Sequence, residues 1–203
     1  MPIFIGMIIG LTGKYCAGKN YVASLLEKKG LPVLDVDKLG HPVLESEKTA
    51  VFSRFGEDLK RPDGSLDRRL LGQRVFGKPD ELAALEAIVH PPVNKITETW
   101  IDSQKGSCVI NAALLHRSSA FNRLDKIIIV TAPFLTRFLR AKKRDKLSYK
   151  EISKRFNSQK NFYTQYLSVN AEIYRIGNSG FPCLLQMRID KIIKGILTDK
   201  KNQ

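Results

Sequence analysis

A chain of 203 residues, 43% hydrophobic and 27% charged, has the make-up of a folded, soluble protein with a real core, most simply one domain with an appendage. Its net charge of +14 favours an anionic partner, whether nucleic acid, phospholipid headgroups or a polyphosphate metabolite. Because no apolar run approaches the roughly 20 residues of a membrane span, a transmembrane protein is not expected.

In chain order, apolar residues run almost unbroken from Ile3 to Leu11 and predict a buried first strand. This opening lacks the basic flank and small-residue cleavage site of a signal peptide. A glycine-bearing loop follows, then Val22, Leu25 and Leu26 fall on one face of a helix that Gly30 ends. "LPVLDVD" predicts a second strand, "GSCVINAALL" a third around Val109 and Ile110, and "DKIIIVTAP" a strongly buried fourth. Strands separated by helices imply an α/β fold, a parallel sheet flanked by helices on both faces. From Leu44 to Trp100 the pattern is helical, with a turn at "RPDGSLD" and a break at His90-Pro91-Pro92, long enough for a substrate-binding insertion. A basic helical stretch from Phe134 to Asn170 carries Arg137, Arg140, Arg144 and Arg155. Pro182 opens a final helix, and the tail "TDKKNQ" reads as frayed. Three cysteines, Cys16, Cys108 and Cys183, without C-x-x-C spacing predict a reduced cytosolic protein without structural zinc.

The loop carries the chemistry. Gly13, Gly18 and Lys19 match G-x-x-x-x-G-K between a buried strand and an amphipathic helix. Backbone N–H groups and the helix N-terminus then point at phosphate, Gly18 lets the backbone approach, and Lys19 reaches the β/γ oxygens. Asn20 stands where a Ser or Thr hydroxyl usually holds magnesium; its carbonyl suits a hard cation, or its side chain caps the helix. Asp35 and Asp37, alternating along an extended chain, would share one face at the strand end. One would accept a proton from an attacking hydroxyl and the other support magnesium; the alternative is two surface acids in a turn. Arg137, Arg140 and Arg144 share a helical face and suit a lid over transferring phosphates, or else form a solvated basic face. His41 and His90 are more often structural than catalytic, and Cys16 fills a permissive loop position.

These motifs together resemble the dephospho-coenzyme A kinase family. Where members read G-L-T-G-G-x-G-S-G-K-S/T and D-A-D, this chain has "GLTGKYCAGKN" and "DVD"; "FGEDLKRPDGSLDRRLLGQRVF" and "LEAIVHPPV" follow for the family's later motifs. The likeness spans nearly the whole chain. It implies a P-loop NTPase fold with a core at about 1–43, 106–134 and 172–203, an inserted helical substrate-binding region at about 44–105, and a helical lid at about 135–171. It further implies that Thr12, Gly13, Cys16, Ala17, Gly18, Lys19, Asn20, Tyr21, Arg144 and Asn178 bind ATP. Asp37, Lys19 and Arg140 would be catalytic, with Asp37 the base and Arg140 the lid arginine. Asp35, His41, Leu114 and Arg155 would serve the acceptor, and Asn20 with Asp35 would hold Mg2+. Implied partners are ATP and dephospho-coenzyme A, with no nucleic acid or membrane, in a cytoplasmic monomer or weak oligomer. Departures are Lys14 and Cys16 for two loop glycines, Asn20 for the hydroxyl residue, "AALLHR" (Ala112 to Arg117) for P-L-L-x-E, Gln165 for a common lysine, and a longer stretch before Asn178.

Two rivals keep parts of this pattern. A nucleoside or nucleotide kinase would keep the core and change the acceptor. A nucleic-acid-binding protein would keep the basic stretch and a vestigial loop, but the sequence lacks a platform of interleaved aromatics.

Overall fold

The computed structural model describes residues 6–166 and 169–198, with side chains of the last helix described through Ile196. The expected start of the first strand at residues 3–5 and the tail at 199–203 lie outside the described residues. The chain divides into two compact units, one of residues 1–34 and 103–203, the other of residues 35–102.

The first unit is built on a five-stranded sheet in the order β2-β3-β1-β4-β5. Its strands are β1 (Ile8–Gly13), β2 (Val33–Asp35), β3 (Cys108–Asn111), β4 (Lys126–Thr131) and β5 (Glu172–Gly177). β1 pairs in parallel with β3 and β4, and β4 with β5. Buried on both faces, central parallel strands are apolar throughout, and Ile127 to Val130 are all 1% exposed or less. Helices α1 (Lys19–Glu27) and α8 (Pro182–Thr198) supply Val22, Leu25, Leu26, Leu185 and Ile189 to the same core as Ile9, Leu11 and Ile128. The chain leaves α1 through paired bonds from Gly30 N–H to Glu27 O and from Leu31 N–H to Leu26 O, with Gly30 at φ 83°, so Gly30 is the terminator. Because β1 lies between β3 and β4, the loop after it opens at the carboxyl edge where an α/β sheet gathers ligands.

The four strands read from sequence are present; β5 was missed. It is an edge strand with Glu172 and Arg175 exposed and only Ile176 buried, so its hydrophobic pattern is weak.

The second unit holds α2 (Val36–Ser46), α3 (Lys48–Phe55), α4 (Arg68–Val75) and α5 (Pro79–Asp102). Val51, Phe52, Phe55, Leu59, Leu66, Leu71 and Val75 form its core. The break expected at His90-Pro91-Pro92 is absent, for α5 runs unbroken through both prolines. Each proline removes a helical donor, but α5 packs on α2, α3 and α4 with Val93 and Thr97 buried, and these contacts outweigh the local defect.

Helices α6 (Phe134–Asp145) and α7 (Tyr149–Asn157) carry the basic stretch. A Ser148–Glu151 capping box starts α7.

Candidate active site

β1 ends at Gly13, where a Cβ would stand 2.7 Å from the Val130 carbonyl oxygen. Ala17 N–H donates to Lys14 O at 2.9 Å and closes the loop; the Gly18 carbonyl then accepts from Tyr21 and Val22 at 3.1 Å and starts α1 with Lys19 at its head. Gly18 has φ 94°, and a Cβ there would collide with Asn178 Nδ2, so glycine is required on both counts. Cys16 adopts φ 59° without being glycine, a left-handed conformation that an L side chain strains.

Ala17 is fully buried, and its carbonyl accepts from Arg140 Nη1 at 3.2 Å and Asn178 Nδ2 at 2.8 Å. Arg140 Nη2 also donates to Asn178 O at 3.0 Å, while Asn178 N–H holds Thr131 O at 2.7 Å. The end of β4, the segment after β5 and helix α6 thus meet under the phosphate loop.

Tyr15 joins the loop to the basic helices from the other side. Its hydroxyl donates to Asp145, its N–H donates to Gln159 Oε1 at 2.7 Å, and its carbonyl accepts from Arg137 Nη1 at 3.4 Å. Arg155 Nη1 donates to the Tyr15 hydroxyl at 3.3 Å, and the Arg144 and Arg155 guanidinium groups lie 5.4 and 5.2 Å from its ring centroid. Arg144 and Asp145 also bond directly, with Nε to Oδ1 at 2.7 Å. That bond, helped by the Tyr15 hydroxyl, brings the Asp145 carboxyl down to about 2 and pushes the Arg144 pKa up. Burial lowers the pKa of Arg137, whose Nε is buried without a hydrogen-bond partner and whose guanidinium lies 4.5 Å from the Phe156 ring centroid. Lys14 turns away to the Tyr163 ring, 4.6 Å from its centroid, and burial followed by Arg137 lowers its pKa.

Of the residues expected to bind ATP, Gly13, Cys16, Ala17, Gly18, Lys19, Asn20 and Tyr21 lie on the loop and the first turn of α1, with Tyr21 45% exposed. Thr12 lies below them, fully buried, its hydroxyl bonded to Ala113 O at 3.4 Å and the Tyr166 hydroxyl at 3.3 Å. Arg140 and Asn178 frame the loop from beneath, and Arg144 and Arg155 sit on Tyr15. Leu114 is exposed in the turn after β3. Asn20 caps nothing: Gly18 is the N-cap residue, and no side chain caps α1. Instead Asn20 Oδ1 accepts from Asn111 Nδ2 at 3.4 Å, while Asn111 Oδ1 is buried without a partner. Among the described residues no group of three His, Cys, Asp or Glu side chains gathers as a metal site.

In the second unit, the extended D-V-D reading is corrected. Asp35 ends β2 and α2 begins at Val36, so helical rather than strand geometry separates the two acids. Asp35 is half-buried, with Oδ2 3.5 Å from Lys38 Nζ and Oδ1 without a hydrogen-bond partner. Asp37 is exposed in the first turn of α2, and His41, four residues on, shares its side of that helix.

Sequence reasoning missed Tyr15, Asp145, Gln159 and Asn111. Only Tyr15, an aromatic inside a phosphate loop, carried a local signal.

The dephospho-CoA kinase family model matches residues 7–172. The dephospho-CoA kinase of Treponema pallidum is 31% identical over 203 residues, covering 94% of this chain and 96% of its own. Among solved structures, TT1252 from Thermus thermophilus is similar at a TM-score of 0.79 and 30% identity, covering 96% of this chain and 97% of its own. Dephospho-CoA kinase from Campylobacter jejuni is similar at a TM-score of 0.69 and 25% identity, covering 97% of this chain and 98% of its own. With a phosphate loop seated between β1 and α1 and a family match across most of its length, the chain belongs to the dephospho-CoA kinase family.

Proposed function

We propose that this chain transfers the γ-phosphate of ATP to the 3'-hydroxyl of the ribose of dephospho-CoA, giving CoA and ADP, the last step of coenzyme A biosynthesis. The observation that carries the reading is the phosphate loop at the carboxyl edge of β1, framed by Arg140 and Asn178 below and by the Tyr15-bound arginines beside it. Both substrates are polyanions, which accords with the net charge of +14.

In this reading Lys19 and the amides that open α1 hold the β- and γ-phosphates. Phosphoryl transfer spreads negative charge over the equatorial oxygens, so Arg140 and Arg144 stabilise the transition state and Arg155 helps close the lid. Asp37 accepts the proton of the attacking hydroxyl, and His41 and Leu114 serve the acceptor.

Magnesium fits the donor chemistry beside the loop, where the carboxamide oxygen of Asn111 is buried without a partner while its nitrogen donates to the carboxamide oxygen of Asn20. Asn20 and Asp35 are the ligands read from the sequence, and the ion would neutralise charge on the β- and γ-phosphates. The reading also carries a cytoplasmic protein acting as a monomer or weak oligomer, without nucleic-acid or membrane partners.

An acceptor panel at fixed ATP tests it. Phosphorylation is expected with dephospho-CoA and not with nucleosides or nucleoside monophosphates; preferred turnover of a nucleoside would overturn the assignment.

A further inference from the structure

Two asparagines stand at the junction of loop and helix. Asn20 is the second residue of α1, and Asn111 is the last of β3. In phosphate-loop enzymes the cation beside the phosphates is held by a loop Ser or Thr hydroxyl and by a strand-end carboxylate. β3 is a direct neighbour of β1, with Asn111 in register with Leu11, so Asn111 holds such a strand-end position while Asn20 holds the loop position. Both places carry neutral carboxamides, and the two side chains are bonded to each other.

The hydrogen bonding distinguishes the two oxygens. Asn111 Nδ2 donates to Asn20 Oδ1 at 3.4 Å, which occupies one of the two lone pairs of that oxygen. Asn111 is 1% exposed, and its Oδ1 has no hydrogen-bond partner. A buried carbonyl without a donor is rare in folded proteins and calls for water or a cation to satisfy it. Amide oxygens are ordinary ligands for hard cations, while affinity follows the charge count of the ligands.

We propose that Asn111 Oδ1 is the oxygen this protein turns toward the magnesium accompanying ATP, with Asn20 as its positioning partner, and that the cation is held chiefly by the nucleotide. The proposal rests on the ATP reading above. A pair without formal charge has little hold on a bare divalent ion, and the carboxylate read from the sequence as a further ligand, Asp35, lies 3.5 Å from the Lys38 ammonium that offsets its charge, so metal and nucleotide enter together. This deepens the sequence reading, in which Asn20 alone took the loop's share of the metal.

The test is Mn2+ binding to the full-length protein, followed by electron paramagnetic resonance with and without the non-hydrolysable analogue AMP-PNP. Mant-ATP binding in EDTA is measured alongside. The native protein is expected to retain Mn2+ only when AMP-PNP is present. Asn111→Asp should gain nucleotide-free Mn2+ binding and tighten the ternary complex about tenfold, and Asn111→Ala should weaken it by about as much.

Tight Mn2+ binding by the native protein without nucleotide would overturn the proposal. So would native-like Mn2+ affinity in a folded Asn111→Ala variant that still binds mant-ATP. Failure of the native protein to bind mant-ATP or AMP-PNP would instead overturn the ATP reading, and the proposal with it.

Discussion

Arg140 and Asn178 meet at one acceptor, the carbonyl oxygen of Ala17, at 3.2 and 2.8 Å. The phosphate loop is therefore shaped from below by α6 and by the segment after β5. Arg140 spans two carbonyls with two nitrogens of its fork, a geometry that lysine cannot reproduce. Arg140→Lys is expected to lower kcat/KM for ATP roughly 10- to 100-fold, the cost of one charged hydrogen-bond set. Steady-state kinetics at varied ATP check this, and native kinetics would remove Arg140 from the site.

Tyr15 couples the loop to Asp145 through its hydroxyl and to Arg144 and Arg155 through its ring. Tyr15→Phe removes the hydroxyl's bonds with Asp145 and Arg155 and keeps the ring contacts with Arg144 and Arg155; Tyr15→Ala removes both sets. Activity should fall in the order native, Phe, Ala. A double-mutant cycle of Tyr15→Phe with Asp145→Asn should return a coupling of about 1 kcal/mol, and additive losses would show that the bond does no work in the folded protein.

Cys16 occupies φ 59°, a conformation glycine adopts freely. Cys16→Gly relieves about 1 kcal/mol of strain but gives back a similar amount in unfolded-chain entropy, so its urea midpoint should stay near native. Cys16→Val places a β-branched residue at the same angle and should cost more than about 1 kcal/mol. Equal midpoints for the two variants would contradict the strain.

Asp145 falls from the ordinary 3.8 to about 2 because Arg144 hydrogen-bonds its charged form. A carboxyl with a depressed folded-state pKa contributes stability that is complete above its unfolded value and lost as pH falls through the folded one. The expected window runs from 3.8 down to about 2. Urea midpoints measured across that range should fall less steeply in Asp145→Asn than in the native protein, and parallel slopes would count against the pairing.

Strongly local signals made much of this protein legible in its sequence. The unbroken apolar run of β4, the loop glycines and the Val22, Leu25, Leu26 face each announce themselves within a few residues. β5 did not, because an edge strand with Glu172 and Arg175 in water shows little alternation. The prolines of α5 misled for the opposite reason, since packing from α2, α3 and α4 outweighs a local breaker. Tyr15 meets Asp145 and Gln159 across 130 and 144 residues, and no sequence window carries such a pairing. The Asn20–Asn111 bond spans 91 residues and was hidden in the same way.

The most direct measurement is ADP formation by the purified protein with ATP, Mg2+ and dephospho-CoA, run beside Lys19→Ala. Turnover is expected in the native protein, with a loss of about a hundredfold or more when the lysine is removed. ADP formation that ignores Lys19→Ala, or a native protein that binds ATP and leaves dephospho-CoA untouched, would contradict the assigned reaction.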